Sequence, residues 1–188
     1  MPKHRNQLRI VGGEFGSRRL HFPDAKGLRP TADRVRETLF NWLQGEIHGK
    51  RVLDLFAGSG ALGIEALSRG ARELVFVERA RAVAQQLRDN HAVLGVLQRA
   101  QLVQADALQW LGTDQPPFDG VFLDPPFADG LLPKVCEALE KQKLLTPNAW
   151  IYLEQDSHQP WPALPTHWAL HREGKAGQAA FRLIHSNG

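Results

Sequence analysis

With one cysteine among 188 residues, the chain has no means of forming an internal disulfide. That residue, Cys136, falls among apolar neighbours in an expected helix and reads as a small buried side chain. The eight histidines make no cluster with cysteine or acid at ligand spacing, so no metal site is expected. Nor does any apolar run approach the ~20 residues that cross a bilayer. The opening Met1-Pro-Lys-His-Arg-Asn6 has no apolar signal core. Together these absences argue against disulfide-stapled, metal-centred and membrane-spanning classes, and a reducing, cytoplasmic setting is expected. What remains is 43% hydrophobic, enough to build a core, at a length that suits one domain with a small appendage.

Charge is small overall, +3, but unevenly placed. Residues 1–36 carry nine Lys or Arg against three acids, and the remainder is net negative. A basic head on a near-neutral body points to a polyanionic partner. Within the head, Leu8–Gly13 and Ser17–Phe22 read as two short strands about a glycine-rich turn, with arginines at the polar positions. A helix should follow, with Thr31 as its N-cap, Asp33 in its first turn, and Val35, Leu39, Trp42 and Leu43 toward the core. Arg29, Arg34 and Arg36 are expected outside, where with the hairpin arginines they would face phosphates.

From Arg51 onward strands and helices alternate. Strands are expected at 52–56, 73–78, 101–105, 118–123 and 149–154. Helices are expected at 60–69, 80–94 and 131–142, with a short helical piece after 105. Such alternation predicts a parallel, doubly wound sheet. The tail differs: Trp168–Glu173 and Ala180–His185 flank a glycine turn, which predicts an antiparallel hairpin, and the proline-rich 159–165 is a connector.

The first expected strand runs into Asp54-Leu-Phe-Ala-Gly-Ser-Gly-Ala-Leu-Gly63, in which Gly58, Gly60 and Gly63 spell G-x-G-x-x-G. That spacing suggests a nucleotide-bearing cofactor. Asp54 sharpens the choice. A carboxylate entering the turn repels the pyrophosphate of a dinucleotide but suits the ammonium and sulfonium of S-adenosylmethionine. Glu78, closing the second strand, suits ribose hydroxyls of either cofactor class. Asp106-Ala107 could hold an adenine edge through side chain and backbone. The fourth acid opens Asp124-Pro-Pro-Phe127, which sets an acceptor, a stiffened carbonyl and an aromatic face within four residues. A conjugated planar amine could be held by Asp124 and the Pro125 carbonyl, with Phe127 stacked on a ring that has left its helix.

These successive motifs resemble those of class I S-adenosylmethionine-dependent methyltransferases, over roughly residues 50–185 at the level of fold. The whole chain is similar to the bacterial 16S ribosomal RNA guanine-N2 methyltransferases of the RsmD type. Arg9-Ile-Val-Gly-Gly13, Leu28-Arg-Pro-Thr31, Asp33-Arg-Val-Arg-Glu37, Leu53–Gly60 and Asp124–Phe127 carry that resemblance. It implies a Rossmann-like, doubly wound, mostly parallel α/β sheet of about seven strands with a C-terminal antiparallel hairpin, a methyltransferase domain over 46–188, and an RNA-facing hairpin-helix extension over 1–45. It further implies transfer of one methyl group to N2 of guanine 966 in small-subunit RNA. Asp54, Phe56, Ala57, Gly58, Ser59, Gly60, Glu78, Arg79, Asp106 and Ala107 would bind S-adenosylmethionine and its product S-adenosylhomocysteine. Asp124, Pro125 and Phe127 would hold the guanine, and Arg9, Arg18, Arg19, Arg29 and Arg34 would contact 16S ribosomal RNA, in a protein with no metal that nothing requires to be more than a monomer. One departure lies in the tail, where Lys175-Ala-Gly-Gln178 stands in place of an expected aromatic pair. The alternatives are a DNA amine methylase using the same tetrad, a dehydrogenase using the glycine turn, and a non-catalytic RNA-binding protein.

Overall fold

The computed structural model describes residues 6–28 and 30–187, so Arg29, assigned above to RNA contact, lies outside the described residues. The chain begins with β1 (Asn6–Arg9) and β2 (Arg19–Phe22), an antiparallel pair, followed by α1 (Asp33–Trp42). Then come β3 (Arg51–Asp54), α2 (Ala61–Ser68), β4 (Glu73–Glu78), α3 (Arg81–Leu94), β5 (Ala100–Gln104) and α4 (Ala107–Leu111). The remainder is β6 (Phe118–Leu123), α5 (Leu132–Lys141), β7 (Leu145–Asp156), β8 (Trp168–Ala176) and β9 (Ala179–Ser186). No described helix is long and apolar enough to cross a membrane.

Seven strands form one sheet in the order β5-β4-β3-β6-β7-β9-β8, with β3 to β7 parallel and β9 antiparallel to both of its neighbours. Its interior strands are apolar on both faces because helices cover both. Val52, Leu74, Phe76 and Phe122 pack with α1, α2 and α3. Leu53, Val75, Val77 and Val121 pack with α4 and α5 on the other side. Gly63 permits this closeness, since a Cβ there would meet the Phe76 ring at 2.3 Å. The chain winds outward from β3 in one direction through β4 and β5, then in the other through β6 and β7. Reversal of winding opens a crevice at the carboxyl ends of β3 and β6.

Two expectations about the head are corrected. Thr31 is not the N-cap of α1: Ala32 occupies that position with no side-chain bond, and the Thr31 hydroxyl points elsewhere. Arg36 is not outside either, being 1% exposed. Its guanidinium bonds the carbonyls of Thr31 and Arg9, at 3.1 and 2.8 Å, and pairs with Asp33 and Glu65. A helical arginine with apolar neighbours at i−1, i+3 and i+4 lies on the inward stripe, and burial is tolerable here because each nitrogen has an acceptor.

Glu65 on α2 is the counterpart, with no exposed surface. Its carboxylate accepts the N–H groups of Val11 and Gly12 at 2.9 and 2.8 Å and pairs with Arg69 at 3.0 Å as well as with Arg36. Ser68, one turn on, accepts from Phe15 N–H and donates to the Gly12 carbonyl. The glycine loop of the head is therefore fastened to the helix that follows the Gly58–Gly60 turn. Replacing Glu65 with alanine strands a buried arginine and two backbone donors, so unfolding free energy should fall by about 3–5 kcal/mol. Urea denaturation measures this, and an unaltered midpoint would refute the clamp.

Candidate active site

A cavity of ≈ 830 Å³ occupies the crevice, within the range of small-molecule sites. Its floor is the set of strand ends, its roof residues 25–28, 30–32 and 35 of the head, and one wall the β8–β9 turn. The register explains why acids gather on the floor. Asp54 on β3 pairs with Phe122, and Phe122 pairs with Tyr152 on β7, so all three share a face. Two residues further on, Asp124 and Glu154 occupy that same face. It is the face covered by α1, which brings the Thr31 hydroxyl to 3.4 Å from Asp124 Oδ2, a long bond.

Glycines shape the turn after β3. Gly58 and Gly60 have φ of 53° and 82°, in the left-handed region that side chains disfavour. Glu78 holds the turn in place: its Oε2 accepts the Gly58 N–H at 2.9 Å and its Oε1 the Ala80 N–H at 2.8 Å. Asp54 Oδ2 accepts the Gly63 N–H at 3.0 Å and so pins the start of α2. Asp106 caps α4, accepting from Gln109 N–H at 3.1 Å. Each of these acids thus has a fixed backbone partner while lining the cavity.

The cavity also takes in Phe56, Ala57, Ser59, Arg79 and Ala107. Pro125 and Phe127 lie on its wall, with Phe127 41% exposed at the start of a short turn of 3-10 helix, Phe127–Asp129. Of the arginines assigned to RNA, the four described, Arg9, Arg18, Arg19 and Arg34, stand apart from the cavity lining. Arg9 and Arg19 are direct cross-strand partners on the outer side of the hairpin. Arg18 donates to the Val93 carbonyl at the end of α3, at 3.3 Å, and Arg34 is exposed on α1.

Some lining residues escaped the sequence reading. Glu154 is one, although it ends the apolar run of β7 as Asp54 and Asp124 end theirs, and that recurrence was the available signal. Ala176, Gln178 and Ala179 of the tail turn also border the cavity, and their sequence has no feature that announces it.

Electrostatically the site is short of positive charge. Among described residues Asp54, Glu78, Asp106, Asp124, Asp129 and Glu154 line it, against Lys26 and Arg79. Burial, only partly offset by the Gly63 N–H, raises the Asp54 carboxyl to about 7, with Glu78 adding repulsion. Burial and the charges of Glu154 and Asp54 push Asp124 well above the usual carboxylate range. Burial raises Glu154 too, against the hydroxyl of Tyr152, which donates to Glu154 Oε2 at 2.8 Å. Such a set is unsuited to a pyrophosphate and suited to a cationic ligand beside a hydrogen-bond donor. Among the described residues no three His, Cys, Asp or Glu side chains are placed to hold one metal ion.

The comparisons with known proteins agree in direction. Residues 8–185 match the family described as conserved hypothetical protein 95. Ribosomal RNA small subunit methyltransferase D of Escherichia coli is 48% identical over 184 residues, covering 97% of this chain and 92% of its own. The protein of the same description from Haemophilus influenzae is 42% identical over 185 residues, covering 97% and 95%. A solved Escherichia coli structure described as that of a methyltransferase superimposes with a TM-score of 0.91 at 45% identity, covering 97% of this chain and 99% of that one.

Asp54 carries a checkable cost. Its folded value of about 7 lies above the unfolded 3.8, so the protonated form is favoured in the fold. Stability from this group is complete below pH 4 and is lost as pH rises to 7. An Asp54→Asn variant, able to keep the Gly63 bond, should match the parent near pH 4 and exceed it at pH 8 by a few kcal/mol, on the order of 2–4. Denaturation of the ligand-free proteins at both pH values tests this, and a difference independent of pH would refute it.

Proposed function

The chain belongs to the conserved hypothetical protein 95 family, that of the RsmD-type methyltransferases, and from that premise we propose that it methylates small-subunit ribosomal RNA with S-adenosylmethionine, at N2 of one guanine, nucleotide 966. The observation that carries the reading is that one cavity joins the Asp54–Ser59 stretch of the glycine turn to the Asp124–Phe127 segment, with Gly60 packed behind it against Ile64 and Leu87. A methyl donor in the first and an amine in the second would meet.

S-adenosylmethionine supplies a methyl group on a cationic sulfur. Asp54 and the glycine turn would take its charged end, with Phe56, Ala57 and Ser59 lining the turn. Glu78 and Arg79 would lie along the ribose, and Asp106 with Ala107 at the adenine. The acid-rich lining and the left-handed glycines fit that ligand. Phe127, half-exposed at the mouth, would stack on a guanine turned out of the RNA. Asp124 and the Pro125 carbonyl would accept from its two N2–H groups, directing the nitrogen and stabilising its developing positive charge. The N2 lone pair, so directed by Asp124 and Pro125, would take the methyl group while sulfur kept the bonding pair, and one N2 proton would then leave to solvent.

The head would meet the RNA backbone. Arg9 and Arg19 are cross-strand partners in the hairpin, and although Arg9 also pairs with Asp33 at 3.5 Å, a phosphate beside the two exposed guanidinium groups would relieve their mutual repulsion. Residues 1–45 would thus serve as an RNA-facing extension of a methyltransferase domain spanning 46–188, acting as a monomer on the small subunit or an assembly intermediate.

Labelled S-adenosylmethionine incubated with small subunits lacking the modification, followed by nucleoside digestion, tests the chemistry. We expect N2-methylguanosine at one site, and at least a ~10³-fold loss of turnover in Asp124→Ala with its fold preserved. Label on adenine or cytosine would overturn the base, and full activity in the variant would overturn the role. Separately, Arg19→Ala should weaken RNA binding and lower the slope of log affinity against log salt by about 1. An unchanged slope would remove Arg19 from the interface.

A further inference from the structure

Beside Asp124 the cavity contains a second carboxylate that the amine-binding segment does not use. Glu154 is 7% exposed, yet it lines the cavity. Its strand runs parallel to β6 with Leu153 paired to Leu123, so Glu154 sits directly beside Asp124 on the same face. Adjacent strands are about 4.8 Å apart. On that scale two carboxylates can meet two neighbouring donors on the edge of one base. The Tyr152 hydroxyl occupies Glu154 Oε2. The other oxygen, Oε1, takes no bond from any described residue and is not sealed from solvent. Tyr152 is itself immobilised in the core, fully covered, so it holds the glutamate at a set position.

Chemistry makes this arrangement selective. Guanine presents two adjacent donors on its Watson–Crick edge, the N1–H and the N2 amine. Adenine and cytosine present a ring acceptor beside the amine. A single carboxylate at the amine cannot distinguish these patterns, because all three bases offer N–H there. A second acceptor next to it can: it bonds N1–H of guanine and repels the lone pair of the others. Resting on the methyltransferase reading above, we infer that Glu154 is the residue that selects guanine, its free Oε1 accepting the N1–H while Asp124 and Pro125 hold the amine.

Burial of two carboxyls side by side is costly without a ligand, and both are held above their ordinary range by it. Two N–H donors and a nearby cation would replace the lost solvation, so the pair is complementary to the loaded site rather than to the empty one.

The test compares small subunits assembled from RNA carrying either guanosine or 2-aminopurine riboside at the target nucleotide. 2-Aminopurine keeps the exocyclic amine but has an acceptor at N1. The parent enzyme should prefer guanosine by ~10²-fold or more in kcat/KM, as sites lose affinity when a bonded donor is removed. Glu154→Gln, whose amide can donate to an N1 acceptor, should narrow that preference at least tenfold. Glu154→Asp should keep the preference at lower rate. S-adenosylmethionine binding and the unfolding midpoint verify that each variant is folded. Equal use of both nucleotides by the parent would overturn the inference, as would a preference undiminished in Glu154→Gln. Failure of the parent to label guanosine would instead count against the methyltransferase reading itself, so the two failures are distinct.

Discussion

The carboxylate of Glu65 is the point at which the two halves of the molecule are joined. It lies on the first helix after the glycine turn, wholly buried, and gathers two backbone donors and two guanidinium groups from three separate stretches. Its charge works with the Ser68 bonds and the burial of Ile10, Phe15 and Leu20 to anchor the head, because β1 and β2 make a two-stranded sheet too small to stand alone. The roof of the cavity is built from residues that follow that hairpin. The contacts that hold the head therefore also hold the roof over the site, and Arg36 belongs to them as much as to α1.

Within the cavity the governing constraint is electrostatic. Parallel strands in register bring Asp54, Asp124 and Glu154 to one face, where burial strips most of their hydration. An empty site of this kind opposes its own ionisation, and a cationic ligand relieves it. If Asp54 binds the proposed cation, binding and stability pull in opposite directions there, a common condition of functional sites. Glu78 and Asp106 avoid the conflict by serving the backbone first, one holding Gly58 and Ala80, the other capping α4.

Much of the architecture was legible in the chain. Apolar runs bounded by glycine and acid placed the strands from Arg51 to Leu123 within two residues, since their burial on both faces leaves an unbroken hydrophobic signature. β7 proved longer than its apolar part, because its first third, Leu145–Asn148, joins β6 at Leu145 and then crosses a register shift before regular pairing begins at Trp150. The strand-end acids were readable for the same reason as the strands. Thr31 and Arg36 were misread through local rules: a threonine after proline looks like a cap, and an arginine like a surface residue. Tertiary partners decided otherwise, in Asp124 for one and Glu65 for the other. The tail turn beside the cavity was unreadable, since its position depends on β9 entering the sheet between β7 and β8, a long-range pairing that no local pattern encodes.

That insertion of β9 has a consequence in time. Until residues up to Ser186 have been synthesised, β7 has no partner on its outer side, and the strand that carries Tyr152 and Glu154 is an open edge. The pairing of β3, β4 and β5 can form as the chain emerges, but the floor of the cavity on the β7 side cannot. Folding of the nascent protein should therefore be ordered, with the glycine-turn half assembling early and the half around Glu154 waiting for the tail. A partly made chain would display an unpaired strand rich in tryptophan, isoleucine and tyrosine, the kind of edge that chaperones cover.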